Sequence, residues 1–350
     1  MRMNKALPRM SLIGAMVAAG LLLTGCGEDG KSAGPVILKT AFNQSENNPQ
    51  YKALQDFSQK LEAETNGKYK LEIHPNELLG DQRAALELVQ SGAIQLAVVA
   101  NPLVENFNKN FSVLAMPYLY DSPEHQRKAF TSGILNDLFS STQGNGFEVL
   151  TAYTAGARSM YIKGAPVKTP EDMKGKKIRV MQSDTMIKML NCMGGIGVPM
   201  GQGEVYSAIQ QGVLDGAENN EITFADLKQY EVAPHFSYTR HVMVADLLVA
   251  SESLLASMDA KDQETFRKLA KASTETEFDL WDQALEAAKK TATGAGATFT
   301  EVDIKPFQER CQLLQSALLT TPEQKDVFTK IRALATVSYT HLTLPTILLV

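Results

Sequence analysis

Two polar side chains stand where apolar runs give out. Arg179 lies near the end of KKIRV (176–180), and Asn219 directly follows VLDGAE (213–218). A guanidinium offers two parallel N–H donors that match the two oxygens of a carboxylate, and an amide adds a further donor. In an open parallel sheet, ligands sit beyond the carboxyl ends of the strands. Read as strands of one sheet, the two runs point Arg179 and Asn219 into one crevice, where the chemistry is capture of an anion. Enzyme spacings are absent. His74, His125, His235, His241 and His341 fall in no HxxH, HExxH or Cys–His arrangement, and there is no GxSxG elbow or GxxxxGK[ST] loop. Gly294-Ala295-Gly296 follows a helical segment and so reads as a terminator, not a dinucleotide cradle. No catalytic residue, metal site or cofactor is expected.

The elements that must position these residues follow from periodicity. Residues 36–41 read as a strand, and Pro49 opens a helix with Leu54, Phe57 and Leu61 on one face, stopped by Asn66-Gly67. Tyr69, Leu71 and Ile73 alternate with Lys70 and Glu72 as a second strand, and a helix over 81–90 leads past Gly92 into a buried strand over 94–100. Strand, helix, strand, helix, strand is the signature of a parallel sheet with right-handed crossovers. A second set begins after Thr154: strands over 159–163, 176–180 and 213–218, a helical turn over 171–175, a helix from the cap Ser183 to Met193, and a helix over 204–211 stopped by Gly212. Glu204 fits the start of that last helix, a structural place. Residues 84–97 overlay 204–217, with Gln90, Gly92 and Ala97 matching Gln210, Gly212 and Ala217, which argues for two similar lobes. A strand over 242–250 should return to the first sheet, and helices over 259–272 and 277–293, the second holding Trp281, should brace both lobes.

Composition limits the partners. With 44% hydrophobic and 21% charged residues, the 350-residue chain reads as a soluble globular protein of two ordinary lobes. Residues 1–25 read as a signal peptide: Arg2, Lys5 and Arg9 precede an apolar run over 11–23, and Leu23-Thr24-Gly25-Cys26 resembles a bacterial lipobox. Cys26 is then expected to carry a diacylglycerol that tethers the protein to a membrane. Removing 1–25 takes three of the 34 basic residues and none of the 39 acidic ones, leaving 31 − 39 = −8. Such an acidic protein does not suit nucleic acid, and an anionic ligand would need a locally positive pocket. An oxidising compartment permits a bridge between Cys192 and Cys311, but their apolar flanks favour two singly buried thiols.

The stretch 168–232 holds KTPEDMKGKKIRVMQS, GVPMGQGEVYSAIQQGVLDGAEN and KQYEV, supported by TNGKYKLEIHPNELLGDQR (65–83), SGAIQLAVV (91–99) and MPYLYDSPEHQRKAF (116–130). Over about 36–335 the chain therefore resembles the C4-dicarboxylate-binding type of solute receptor of the tripartite ATP-independent periplasmic (TRAP) transporters. That resemblance implies an α/β, two-lobed periplasmic-binding-protein fold, each lobe a mainly parallel sheet flanked by helices, with a hinge and long bracing helices. It implies a monomer that captures a small organic acid and delivers it to the membrane subunits of a permease. A lipid-tethered sensory receptor is the alternative, and an extracytoplasmic enzyme on the same scaffold a more distant one. By the same resemblance Arg179 pairs with the ligand carboxylate, Asn219 donates to it, and Arg158 matches a second cation at the cleft mouth or pairs with an acid across the hinge. The chain departs from the pattern at Gln202, in place of an aromatic, at Asn220-Glu221, in place of a proline, and at Met181. Polar Gln202 and Asn220 beside a closed cleft favour a hydroxylated acid, such as a hexuronate, over a plain dicarboxylate. The expected division is 26–35 linker, 36–156 plus 245–284 lobe I, and 157–244 plus 285–336 lobe II.

The final residues, 337–350 (VSYTHLTLPTILLV), carry no charge and no period. Back-translated, 337–346 can be written as the transposase mosaic end and adapter of sequencing libraries, so 337–350 reads as an adapter artefact. Deleting 337–350 should leave thermal stability and ligand affinity unchanged and raise solubility, since the segment is apolar and strand-prone. Paired melts and titrations check this; loss of binding on deletion would refute the adapter reading.

Overall fold

The computed structural model describes residues 34–335; the signal segment 1–25, Cys26 and the tail 337–350 lie outside them. Strands β1 (Val36–Ala41), β2 (Tyr69–His74), β3 (Leu96–Ala100) and β4 (Phe147–Thr154) precede β5 (Arg158–Ile162), β6 (Lys177–Val180), β7 (Ile196–Pro199), β8 (Gly216–Asn219) and β9 (His235–Val242). Strands β10 (Ala245–Ser251) and β11 (Thr298–Glu301) complete the set. They form two mixed sheets, ordered β2-β1-β3-β10-β4 and β11-β9-β5-β8-β6-β7. Flanking helices make this the α/β two-lobed fold that the sequence implies. The repeated unit is present in both sheets: the helices Gln82–Gln90 and Val205–Gln210 lead into β3 and β8. Their terminating glycines, Gly92 and Gly212, take nearly identical left-handed φ values of 74° and 75°.

One strand in each sheet runs against the rest, β10 in the first and β5 in the second. Each is the strand laid down when the chain arrives from the other sheet, through 155–157 or 243–244. A passage of two or three residues cannot carry the chain round to the far edge of a sheet, as a helical crossover does. The arriving strand enters from the carboxyl edge of its neighbours and runs backwards. Gly156 makes the first passage possible: its φ is +62°, and a Cβ there would stand 2.9 Å from the Trp281 ring.

Several expectations are corrected. The run 242–250 is the end of β9 and most of β10, so only its second part returns to the first sheet, and 235–242 is an additional strand of the second. Strand β8 begins at Gly216, not Val213. The two bracing helices are one, Ala260–Gly294. The break read at 273–276 is a polar stitch on the buried face: Ser273 Oγ meets the Tyr153 hydroxyl at 2.7 Å, Thr274 Oγ1 meets Thr151 Oγ1 at 2.5 Å, and Glu277 Oε2 accepts from Thr154 N at 3.0 Å. The long helix thus covers β4, the edge strand of its sheet.

The C-terminal helices also depart from expectation. Helix Lys305–Leu318 packs on Asp184–Cys192, and Cys192 and Cys311 form a disulfide there instead of being buried singly. Nothing in their spacing of 119 residues signals that proximity. The next helix, Pro322–Ala333, was expected with lobe II but lies against the 109–125 region that connects β3 to β4. Gln324 Nε2 donates to Lys109 O at 2.9 Å, and the His125 ring meets Ile331 O at 2.8 Å. One apolar cluster, including Phe111, Val113, Met173, Ile178, Met186 and Phe307, is correspondingly shared by both sheets, while two others each serve one sheet.

Closing so long a loop removes much unfolded-state entropy. The double variant Cys192→Ser/Cys311→Ser should lose about 2–5 kcal/mol in urea unfolding, and reduction of the wild type should reproduce the loss.

Candidate functional site

The carboxyl edges of the two sheets face a common polar cleft. Residues just past β1 (Asn43, Gln44) and at the ends of β6 and β8 (Arg179, Asn219) line it. The reversed strands contribute from their starts instead: Arg158 opens β5, and Asp246 is the second residue of β10. Strand direction therefore explains why Arg179, Asn219, Arg158 and Asp246 meet. Register fixes the details, with Arg179 beside Ala217 and Val198, Ser159 beside Asn219, and Asp246 between Ala100 and Tyr153.

Arg158 does not stand at a cleft mouth as an open cation. It is 4% exposed and bonded to Glu218 through Nε–Oε2 at 2.6 Å and Nη2–Oε1 at 2.8 Å, with Nη2 also donating to Glu218 O at 2.7 Å. Its partner is on a strand of the same sheet, not across the hinge. The ionised Glu218 Oε2 can only accept from His241 Nε2–H at 3.3 Å, so in the neutral ring Nδ1 accepts from Thr239 Oγ1 at 2.9 Å, while Thr239 Oγ1 accepts from Met160 N at 3.2 Å. Burial lowers the His241 pKa, so the ring is neutral. Burial alone would raise Glu218, but Arg158 and His241 outweigh it and hold the carboxyl at about 2. Arg158 is kept above its ordinary value by Glu218 against the opposing effect of burial. The remaining Arg158 donor, Nη1, reaches Asn219 Oδ1 at 2.8 Å and turns that amide so that Nδ2 faces Gln202 Oε1 at 3.4 Å.

Arg179 is different. It too is 4% exposed, yet it alone of the arginines among the described residues has no carboxylate within ion-pair distance. Nε donates to Met200 O at 2.8 Å and Nη1 to Gln202 Oε1 at 3.1 Å. Burial, and then the charge of Arg158, pull its pKa down. Gln202 spends Oε1 on Arg179 and Asn219, while its buried Nε2 has no partner. The Nη edge of Arg179 and the Gln202 amide thus leave N–H donors on one wall of the cleft, an arrangement that suits an anion.

Asn220 lines the cleft, but the backbone takes up its side chain. Oδ1 accepts from Thr223 N at 2.8 Å as the cap of helix Glu221–Asp226, and Nδ2 donates to Ala155 O at 2.9 Å. Sequence reasoning passed over Gln50, Asp246 and Glu77. Gln50 Nε2 donates to Thr154 O and to Asp246 Oδ2, both at 2.8 Å. Burial pushes the Asp246 carboxyl up to about 6. Glu77 Oε2 accepts from Gly203 N at 2.9 Å, and Ser45 Oγ donates to Asp226 Oδ2 at 3.0 Å, so two contacts join loops of the two sheets. The amide-rich stretch 43–50, directly after a strand, was the available signal for Gln50.

Residues 40–318 match the family described as bacterial extracellular solute-binding protein, family 7. The chain belongs to that family. This family 7 protein is 35% identical over 303 residues to protein YiiZ of Salmonella typhimurium, a match covering 86% of this chain and 92% of the relative. A TRAP periplasmic solute-binding protein of Anaerococcus prevotii, solved with bound α/β-D-glucuronate, matches with a TM-score of 0.83 at 36% identity, covering 85% of this chain and 97% of that one. Another, from Xanthobacter autotrophicus Py2 with bound β-D-galacturonate, gives 0.82 at 32% identity, covering 85% and 99%. The family 7 protein is therefore a TRAP solute receptor, as the stretch 168–232 implied.

Glu218→Gln would leave Arg158 buried without its charge partner and should cost about 3–5 kcal/mol of stability. Held at about 2, below its ordinary 4.5, Glu218 contributes stability in full above pH 4.5 and loses it as pH falls through 2. Acid unfolding of Glu218→Gln should accordingly be shallower than that of wild type between pH 4.5 and 2, as followed by circular dichroism.

Proposed function

We propose that this receptor captures a sugar monoacid of the hexuronate class, anchored through its carboxylate at Arg179, and delivers it to the membrane subunits of a TRAP permease without transforming it. The observation that carries the reading is the buried Arg179 guanidinium without a counter-ion. An uncompensated buried charge is costly, and a ligand carboxylate on the Nη edge would relieve the cost through two charge-assisted hydrogen bonds. Asn219 Nδ2 and Gln202 Nε2 add donors beside it. Arg158 positions Asn219 in this reading, while Asn220 acts through the cap it provides. The glucuronate and galacturonate held by the two related receptors support the ligand class. Tethering through a lipid on Cys26 and action as a monomer complete the reading; among the described residues no helix is long and apolar enough to cross a membrane.

Calorimetric titration with D-glucuronate and D-galacturonate tests it. Removing one member of a buried charge pair typically costs about 2–5 kcal/mol, so Arg179→Ala should weaken binding by roughly 30-fold to a few thousandfold. Arg179→Lys keeps the charge without the fork and should recover only part of that loss. The melting temperature of ligand-free Arg179→Ala should not fall, because the substitution removes an unpaired buried charge. Wild-type affinity in folded Arg179→Ala would overturn the assignment.

A further inference from the structure

The cleft is polarised in a way that the carboxylate anchor does not explain. On the second sheet's wall the uncommitted groups are donors: the Nη edge of Arg179 and the buried, partnerless Gln202 Nε2. On the first sheet's wall the fully buried atoms without a partner are acceptors. Gln50 Nε2 is saturated by Thr154 O and Asp246 Oδ2, which leaves Gln50 Oε1 buried without a donor. Gln44 Oε1 is likewise buried and without a donor. Asp246 Oδ2 is satisfied by Gln50, and among the described residues no group donates to Oδ1. Among the described residues Asp246 forms no ion pair: the nearby Arg158 is neutralised by Glu218, and the like charge of the buried Glu277 is on the long helix. All three acceptors line the one cleft or touch residues that do.

The two orphaned buried acceptors, Gln44 Oε1 and Gln50 Oε1, call for hydroxyl donors, because an unsatisfied group costs its full desolvation, and Asp246 lines the same cleft as a half-buried carboxylate with Oδ1 free to accept. A second carboxylate brings acceptors only, and a like charge beside Asp246. We propose that Asp246 is the specificity-determining residue of the cleft: it accepts hydrogen bonds from hydroxyls at the ligand end remote from Arg179, and its negative charge excludes a dicarboxylate there. The inference rests on the Arg179 reading above and adds what that reading lacks, a repulsive element as well as an attractive one. At neutral pH the carboxyl is mostly ionised, since burial lifts it only to about 6.

The test is titration of wild type and Asp246→Asn with D-glucuronate, D-galacturonate, succinate and L-malate. Wild type should bind a uronate at least 100-fold more tightly than succinate. Asp246→Asn keeps the shape but places an amide donor in the cleft. It should lose about 10- to 100-fold in uronate affinity, as loss of a charged hydrogen-bond acceptor does, and should bind succinate and malate no more weakly than wild type. The uronate-to-succinate ratio should fall at least tenfold. Asp246→Ser is the second variant should the first fail to fold, with the same ratio as readout. An unchanged ratio in a variant with the wild-type melting profile overturns the role of Asp246 and leaves the sugar-acid reading standing. Tighter binding of succinate than of either uronate by wild type overturns that reading, and this inference with it.

Discussion

A guanidinium kept out of water without a counter-ion is the constraint around which this receptor is organised. Desolvating an ion costs several kcal/mol after relaxation, and the cost persists unless hydrogen bonds or an opposite charge offset it. Among the described residues Arg179 receives only a carbonyl and an amide oxygen. Its neighbour Arg158, equally buried, receives a whole carboxylate. The difference divides the two residues: Arg158 is a finished structural pair, and Arg179 is a buried charge left open to an anion, as its proposed role as the anchor requires. Had Glu218 stood within reach of both, the cleft would be electrically complete and indifferent to anions.

Holding Arg179 in that state requires a rigid surround. It lies inside β6, between β7 and β8, so its backbone cannot swing to water. Glu218 and Asn219 share β8, which lets the Arg158 fork grip one residue and orient the next. The two strand passages at 155–157 and 243–244 bring Arg158 and Asp246 to the same edge, because each follows a reversal of chain direction. The long helix backs the first passage through Trp281 against Gly156 and through the Ser273, Thr274 and Glu277 stitch to β4. On another flank, the Cys192–Cys311 bridge fixes one C-terminal helix to the second sheet's side, while the next helix grips the 109–125 region.

The same architecture sets the buried, partnerless donor and acceptors of the cleft on different walls. The second sheet presents Arg179, Asn219 and Gln202, and the first presents Gln44, Gln50 and Asp246. A ligand with a carboxylate at one end and hydroxyls at the other satisfies both walls at once. In the proposed reading such a molecule adds to the polar contacts that already join the two sheets' sides, among them Ser45–Asp226, Glu77–Gly203 and Glu105–Ser183.

The sequence by itself determined what depends on local pattern. Alternation in 69–73, the capping side chains Asp81 and Ser183, and the glycines 92 and 212 fixed most strands and helices. The rule that ligands gather at strand ends singled out Arg179 and Asn219, and the polar Gln202 pointed to a hydroxylated acid. Tertiary structure decided what depends on distance in space. Ser273 and Thr274 look like a helix break until β4 supplies their partners. Cys192 and Cys311 pair because two helices far apart in the chain pack together. Asn220 looks like a ligand donor until Thr223 N and Ala155 O claim it. Asp246 is one acid in an apolar strand, and only the reversal of β10 carries it to the cleft. Side-chain periodicity records which face of an element is buried, but it holds no information on which charges will meet, and here those meetings separate the anchor from the scaffold.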